Sequence, residues 1–544
     1  MTGSAQAGST ASRQPARRAF APDTPVSKSE PLAGCSARLR LVIRAGLAAA
    51  LTFKVVSAPV ALALETDQYA AWTHPLEDAA AVINARFNLE IARALDDLGR
   101  NPPQSITCGA IAKAVQRRLS FSIFQPIELW VVQSPLVDQF PPRGSEAAQS
   151  KRQSIYSDHG PFDVGMWLPL APTIEVAGVR LGTDKLAHFV SSGWKYRNAF
   201  LRHANRGQSE EEAVRAAIHW GIFEERGING TLASGIFSRA DLEADYQGMR
   251  FYLALCGGPD PLLAVDGGRW RLRRSFDVSE YVTPEWDESY QTCIYSRSRW
   301  RKVRPEIVER CPLLAQPAVR QRFESYRARD RVTPTESVLT GLVAAGKLPD
   351  PAPFELETVC PAAASLPPRS SQPWAILVSR GNGEDAALTT RLEALEHDRT
   401  RRSFALWSIG FADPRSAFAA LGVLSASLPR TSDCRSVCDL RGPTLQLALG
   451  STGSQVAVGW ARVIAETGEN GRLLADVYLA YGVRGVIVRT WRDSARAEAN
   501  RTLAGIEGAF TITRVSFIAS LLRRLGSDGH RSRWLASVGL GLGF

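Results

Sequence analysis

From about Ser403 to its end the chain sets apolar residues at every second position, and no other feature limits its fold as strongly. In "RWLASVGLGLGF", Trp534, Ala536, Val538, Leu540, Leu542 and Phe544 take one face of an extended strand, while Ser537, Gly539, Gly541 and Gly543 take the other. The pleat causes this, because it sends successive side chains to opposite sides. In "LLADVYLAYGVRGVIVRTW" the apolar face holds Leu473, Ala475, Val477, Leu479, Tyr481, Val483 and Ile487, and the other face holds Asp476 and Arg484. Glu507 in "LAGIEGAFTIT" would point to the polar side as well. Runs separated by turn residues predict about eight strands, near 404–411, 416–428, 442–450, 454–465, 473–490, 502–511, 514–524 and 532–544.

Large apolar residues outward with small or polar ones inward describe a barrel that meets lipid outside and encloses a polar lumen. The last strand, with its terminal aromatic, resembles the closing strand of outer-membrane barrels. Eight strands make the smallest closed membrane barrel, and roughly 9–11 residues carry a strand across. A soluble antiparallel sheet or sandwich also alternates and is the competing reading. Arg462 shares a face with Val456, Val458 and Trp460, and counts against the barrel unless it sits at the interface.

The other end of the chain bears on compartment. Arg38, Arg40 and Arg44 precede an apolar run from Ala45 that only Lys54 interrupts, and Ala61-Leu62-Ala63 fits an A-x-A cleavage site. The expectation is a secretory signal cut after Ala63, with an uncleaved membrane anchor as the alternative. Residues before Ser36 are rich in Ala, Ser, Pro and Arg and are expected to be disordered, as an extension or a start codon placed too early. "PLAGC", ending at Cys35, mimics a lipoprotein box but has no apolar run before it. Eight cysteines less Cys35 leave seven, an odd number, so an oxidising compartment should leave one thiol unpaired. Cys434 and Cys438 are the candidate local disulfide. A net charge of +11 suits lipid phosphates or an anionic envelope as well as nucleic acid, and secretion argues against nucleic acid.

Between these ends the pattern is mainly helical. "PLEDAAAVINARFNLEIARALDDLG" reads as one amphipathic helix ending at Gly99, and "GAIAKAVQRRL" as a second. Ile127, Leu129 and Val131 in "PIELWVVQSPLV" suggest a strand. Pro259–Pro317 reads as ordered loop around Trp270, Trp286 and Trp300, and "CPAAASLPPRSSQP" as a linker. The fold class is therefore α+β and multidomain. Residues 1–63 form the leader, 64–359 a mainly α-helical periplasmic domain, 360–402 a linker, and 403–544 an all-β antiparallel domain, a barrel of about eight strands.

"GTDKLAHFVSSGWKY" carries the candidate chemistry. Thr183 caps a helix, Asp184 suits its first turn, and His188 at i+4 should stack over Asp184. Downstream, Ser209 and Glu212 make a capping box, and the buried stripe Val214, Ile218, Ile222 leads to Glu225 or, on the next line, Glu224. Ser238 caps a further helix with Asp241 at its third position, and Asp245 falls on a face where a carboxylate needs a partner. Asp184, His188, Glu224, Glu225, Asp241 and Asp245 are thus candidate ligands for a divalent metal, of a hard or borderline kind because no cysteine or second histidine lies at ligand spacing. The alternative is a buried ion-pair network in which Lys185 and Arg239 neutralise the acids. The arginines around Trp270 and Trp300, Arg271 and Arg301 among them, are candidates to grip lipid phosphates, or form a solvated basic face.

The order D-K-x-x-H, a helix-ending Glu, then D-x-x-x-N-x-x-G resembles the core pattern of VanZ-like and related bacterial envelope proteins. It maps to Asp184, Lys185, His188, Glu224 or Glu225, Asp241, Asp245 and Gly248, within Gly182–Tyr252. Asp245 stands where the pattern has Asn, and these helices are too short and polar to span a membrane. The resemblance implies an envelope setting and a shared polar site, and no reaction. Nucleophile-elbow, H-E-x-x-H and P-loop motifs are absent. The sequence thus points to a secreted Gram-negative envelope protein, either binding or processing an envelope lipid or glycan, or serving as a noncatalytic scaffold.

Overall fold

A computed structural model describes residues 65–544 except 101–105, 121–124, 146–150, 159–168, 228–229, 374–385, 433, 435–436, 468–470 and 527–533. The leader and Cys35 lie outside the described residues, as do the side chains of Ala475 and Asp476. No helix among the described residues is long and apolar enough to cross a membrane.

The helical part is built on α1 (Ala80–Arg100) and α2 (Cys108–Leu119). Ile83, Phe87, Ile91 and Ala94 recur at helical spacing on α1 and are buried. Phe87 leads into an aromatic core in which Phe189, Phe251, Phe276 and Tyr281 stack or meet edge to face. One disulfide, Cys108–Cys256, and another, Cys311–Cys360, staple this core. Cys434 and Cys438 are paired as expected, and Cys293 is a buried free thiol.

Three local expectations change. Pro126–Gln133 is a helix, α3, not a strand: Pro126 opens it, and Ile127, Leu129, Val131 and Val132 are buried all round it. Ser296 caps a helix within the Trp/Arg-rich stretch (Arg297–Arg310), where ordered loop was expected, while Trp286 is fully buried and Trp300 stacks on Tyr295. The stretch read as a linker is anchored: Cys360 is disulfide-bonded, Arg369 pairs with Asp330 at 2.9 Å, and Ala386–His397 forms a helix whose Glu396 meets Arg93 of α1 at 3.0 Å.

Eight antiparallel strands follow, each beside the next in sequence and the last beside the first, in a closed barrel. They are β1 (Arg399–Ala412), β2 (Ser416–Pro429), β3 (Cys438–Gly450), β4 (Gly453–Thr467), β5 (Leu474–Thr490), β6 (Thr502–Ile512), β7 (Val515–Leu525) and β8 (Trp534–Gly543). Their outer face is apolar and exposed, with Leu421, Val458, Val483 and Val538 each 60% exposed or more. Inside, the Glu507 carboxylate accepts from Arg415 (2.9 Å), Arg484 (2.8 Å), Gln455 (3.1 Å) and Ser520 (2.9 Å).

The helical part sits on one end of this barrel. Leu129 of α3 and Ala171 pack against Val437, Ile464, Tyr478 and Leu479, covering the outer face there. Arg462 lies under this cover, 2% exposed, and forms a two-pronged pair with Asp439 at 2.8 and 2.9 Å. It therefore does not count against the barrel. The lumen at this end is apolar, filled by Phe404, Leu406, Val463, Leu474 and Phe544. Two residues expected on the outer face turn into this cluster. A register shift between the Ile464 and Ala465 pairings redirects Val477. Gly543, at φ +85°, breaks the alternation before Phe544.

Candidate functional site

The hairpin Thr173–Val176 and Val179–Gly182 delivers the chain into a short helix, α4 (Thr183–Ala187), with Gly182 as its N-cap. A wide π turn, His188–Ser192, joins α4 to α5 (Gly193–Ala204). Here α7 (Arg239–Ala254) crosses in backbone contact: a Cβ on Gly248 would lie 1.9 Å from the Phe189 carbonyl oxygen, and one on Gly193 2.6 Å from the Gly248 Cα. Glycine at this crossing sets Asp241 and Asp245 against His188. The helix α6 (Glu210–Arg226) begins in the expected capping box and brings Glu225 in from a third side.

Lys185 is the hub. Its ammonium, 1% exposed, donates to Asp184 at 2.6 Å, Asp241 at 2.6 Å and Glu288 at 2.7 Å. Burial opposes its charge, but the carboxylates of Asp184, Asp241 and Glu288 hold its pKa well above the usual lysine range. His188 turns away from Asp184, because the π turn aims it at α7. Its Nδ1 meets Asp245 at 2.9 Å, and its Nε2 lies 3.3 Å from Asp241. Burial again opposes charge, and Asp241 and Asp245 together outweigh it, raising the imidazole to about 10. Burial raises Asp184 and Asp245 each to about 6 against the pull of Lys185 and His188. Asp241, buried but touching both cations, stays below the usual aspartate value. Ser238 links the parts: its N–H donates to Glu225 at 2.9 Å and its hydroxyl to Glu288 at 2.6 Å.

Among the sequence candidates, Asp184, Lys185, His188, Asp241 and Asp245 come together, and Glu225 joins through Ser238. Glu224 does not: it is partly exposed and pairs with Lys195 at 3.0 Å. Arg239 also points elsewhere, to Glu355 at 2.8 Å and the Thr292 carbonyl at 2.9 Å, so it does not neutralise the cluster. Arg271 and Arg301 are exposed on separate elements, and Arg299 between them is buried, donating to the Ser234 carbonyl. Of the arginines read around Trp300, Arg299 is thus committed to the protein, while Arg301, like Arg271 beside Trp270, stays exposed. Glu288 and Glu128 escaped the sequence reading because neither lies on a periodic stripe. Their signal was an acid inside an apolar or aromatic run, "PIELW" and "PEWDES". Burial and the charge of Asp184 raise Glu128 to about 8.

Oxygens of Asp184, Asp241 and Glu288 lie within 4.8 Å of one another, a spacing that suits a cation. The Lys185 ammonium already supplies a positive charge there. Around it Asp184 Oδ1, Glu288 Oε2, Glu128 Oε1 and His188 Nε2 are buried without a protein hydrogen-bond partner. Protonated and oriented by Asp245, His188 can hold or donate a proton but cannot accept one. No protein-family model, curated protein or solved structure matches the chain.

Proposed function

We propose that this chain is an outer-membrane-anchored protein of a Gram-negative envelope, whose helical domain stands on the periplasmic side and acts as a binding scaffold for an envelope lipid or glycan. The observation that carries this is the closed barrel with an exposed apolar outer face and a lumen closed by ion pairs. From Tyr481 to Ile487 the outer face of β5 is apolar and exposed, and Arg489 and Trp491 follow at its end, where a crossing strand of about 9–11 residues reaches the head groups. The Lys185 and His188 cluster then serves as a buried ion-pair core that fixes how α4, α6 and α7 pack. Fractionation of cells tests the anchor: it should place the full chain in outer membranes, resistant to alkaline extraction, and recovery wholly in the soluble periplasm rejects it.

A second reading, in which Asp184, Asp241 and Glu288 bind a divalent metal, is favoured by the unpartnered Asp184 Oδ1 and Glu288 Oε2. Metal analysis of the purified chain beside its Asp184→Asn and Glu288→Gln variants separates the two. Stoichiometric metal that the variants lose supports the metal site. No bound metal, or metal content unchanged by variants that are merely less stable, supports the ion-pair core.

A further inference from the structure

The end of the barrel away from the helical domain carries a basic rim. Among the described residues of 489–501 and 523–525 stand Arg489, Arg492, Arg496, Arg501, Arg523 and Arg524, against Asp493 and Glu498 alone. Both acids are engaged, Asp493 by the Ala499 N–H and Glu498 by Arg501 and Arg524. Arg489, Arg496 and Arg523 stand toward the β5–β8 side of this rim. Strand register puts Ile487, Ala504, Arg523 and Trp534 in a single outward row across β5, β6, β7 and β8. Arg489 is the next outward residue on β5, donating to the Thr502 hydroxyl at 3.0 Å. Arg523 lies over the Trp534 ring at 6.0 Å. Arg496 folds down from the β5–β6 loop and donates to the Ala536 carbonyl at 2.7 Å, one outward position below Trp534. Arg489 and Arg523 are exposed and turned outward, and Arg496 is exposed on the loop at the same end of the barrel. Directly below them run the bare apolar side chains of Ile487, Ile506, Leu521 and Val538.

A cationic cluster at the top of an exposed apolar wall fits a molecule with an anionic head and several acyl chains. Guanidinium forks match phosphate oxygens, and the wall matches the chains. Resting on the membrane-anchor reading above, we infer that Arg489, Arg496 and Arg523 form a binding site for the phosphate groups of a lipid in the leaflet facing away from the helical domain. Under that reading this is the outer leaflet, so the ligand is a phosphorylated, multiply acylated lipid.

The test uses the full chain folded in detergent micelles, with a bis-phosphorylated, multiply acylated glycolipid as probe and its dephosphorylated form and phosphatidylcholine as controls. Binding of the phosphorylated probe should fall about a hundredfold in the Arg489→Gln/Arg496→Gln/Arg523→Gln variant, roughly fivefold for each arginine. The controls should bind weakly and alike to both proteins. The inference is overturned if the variant binds the probe as tightly as the parent. It is also overturned if removing the phosphates changes nothing, or if millimolar inorganic phosphate displaces the lipid completely. Proteolysis of the same micellar samples reads the anchor separately. A protected 399–544 fragment with no phosphate selectivity rejects only the lipid site, whereas a barrel that is not protected rejects the anchor.

Discussion

Replacing Lys185 with methionine keeps much of its volume and removes its charge. The structure puts three carboxylates within 2.7 Å of that ammonium, and their own oxygens within 4.8 Å of each other. Removing one partner of a single buried ion pair costs about 3–5 kcal/mol, and three stranded carboxylates place this case at the upper end. The loss should depend on pH. Burial already raises Asp184 to about 6 in the lysine's presence; without the lysine, Asp184 rises further above its unfolded value of about 4. The folded variant then binds protons that the unfolded chain releases, so its stability relative to the parent recovers as pH falls from about 8 to about 5. Hydrogen exchange of peptides from Arg239–Ala254 in the full-length protein, corrected for intrinsic rates, reads this locally. Protection should drop roughly a hundredfold or more near pH 8 and return in part near pH 5. Unchanged protection at both pH values would refute the claim that Lys185 neutralises these acids.

Three further changes probe other joints. His188 has a folded pKa of about 10 against 6.5 unfolded, so its stabilisation is present in full below pH 6.5 and lost as pH rises through about 10. The stability gap between parent and His188→Asn, measured by denaturant titration, should close over that window. Glu507→Ala strands Arg415 and Arg484 inside the barrel and should cost about 3–5 kcal/mol, seen as a lower temperature for loss of the compact form on detergent gels. Gly248→Ala drives a Cβ into the Phe189 carbonyl, so α7 must move; exchange should quicken in both 188–193 and 239–254 while the barrel stays protected.

The barrel was legible because several strands contrast an apolar outer face with small or polar lumen residues, a period-two signal that needs no long-range information, although Phe404, Leu406 and Val463 fill the lumen at one end. The exceptions are long-range. Arg462 becomes intelligible only when α3 is seen covering that end of β4, and the misreading of Pro126–Gln133 is the same contact seen from the other side. A short apolar run buried all round carries no period, so strand and helix cannot be told apart in it. In the site, capping and stripe arguments found Asp184, His188, Glu225, Asp241 and Asp245, because each sits on a helix with a definite inward face. Glu288 comes from a loop after Trp286, where periodicity is silent. The pairing of His188 with Asp245 rather than Asp184 depends on a π turn and a glycine crossing that an ideal helical wheel does not contain.

Whether the barrel's outer face meets lipid is decided most directly by spin labels at Val458, Leu447 and Val538 on that face, with Arg215 on the helical domain as a water-facing control. In reconstituted membranes the three labels should collide often with oxygen and rarely with a water-soluble nickel chelate, the reverse of the control. Nickel collisions as frequent at Val458, Leu447 and Val538 as at Arg215 would contradict a membrane-embedded barrel.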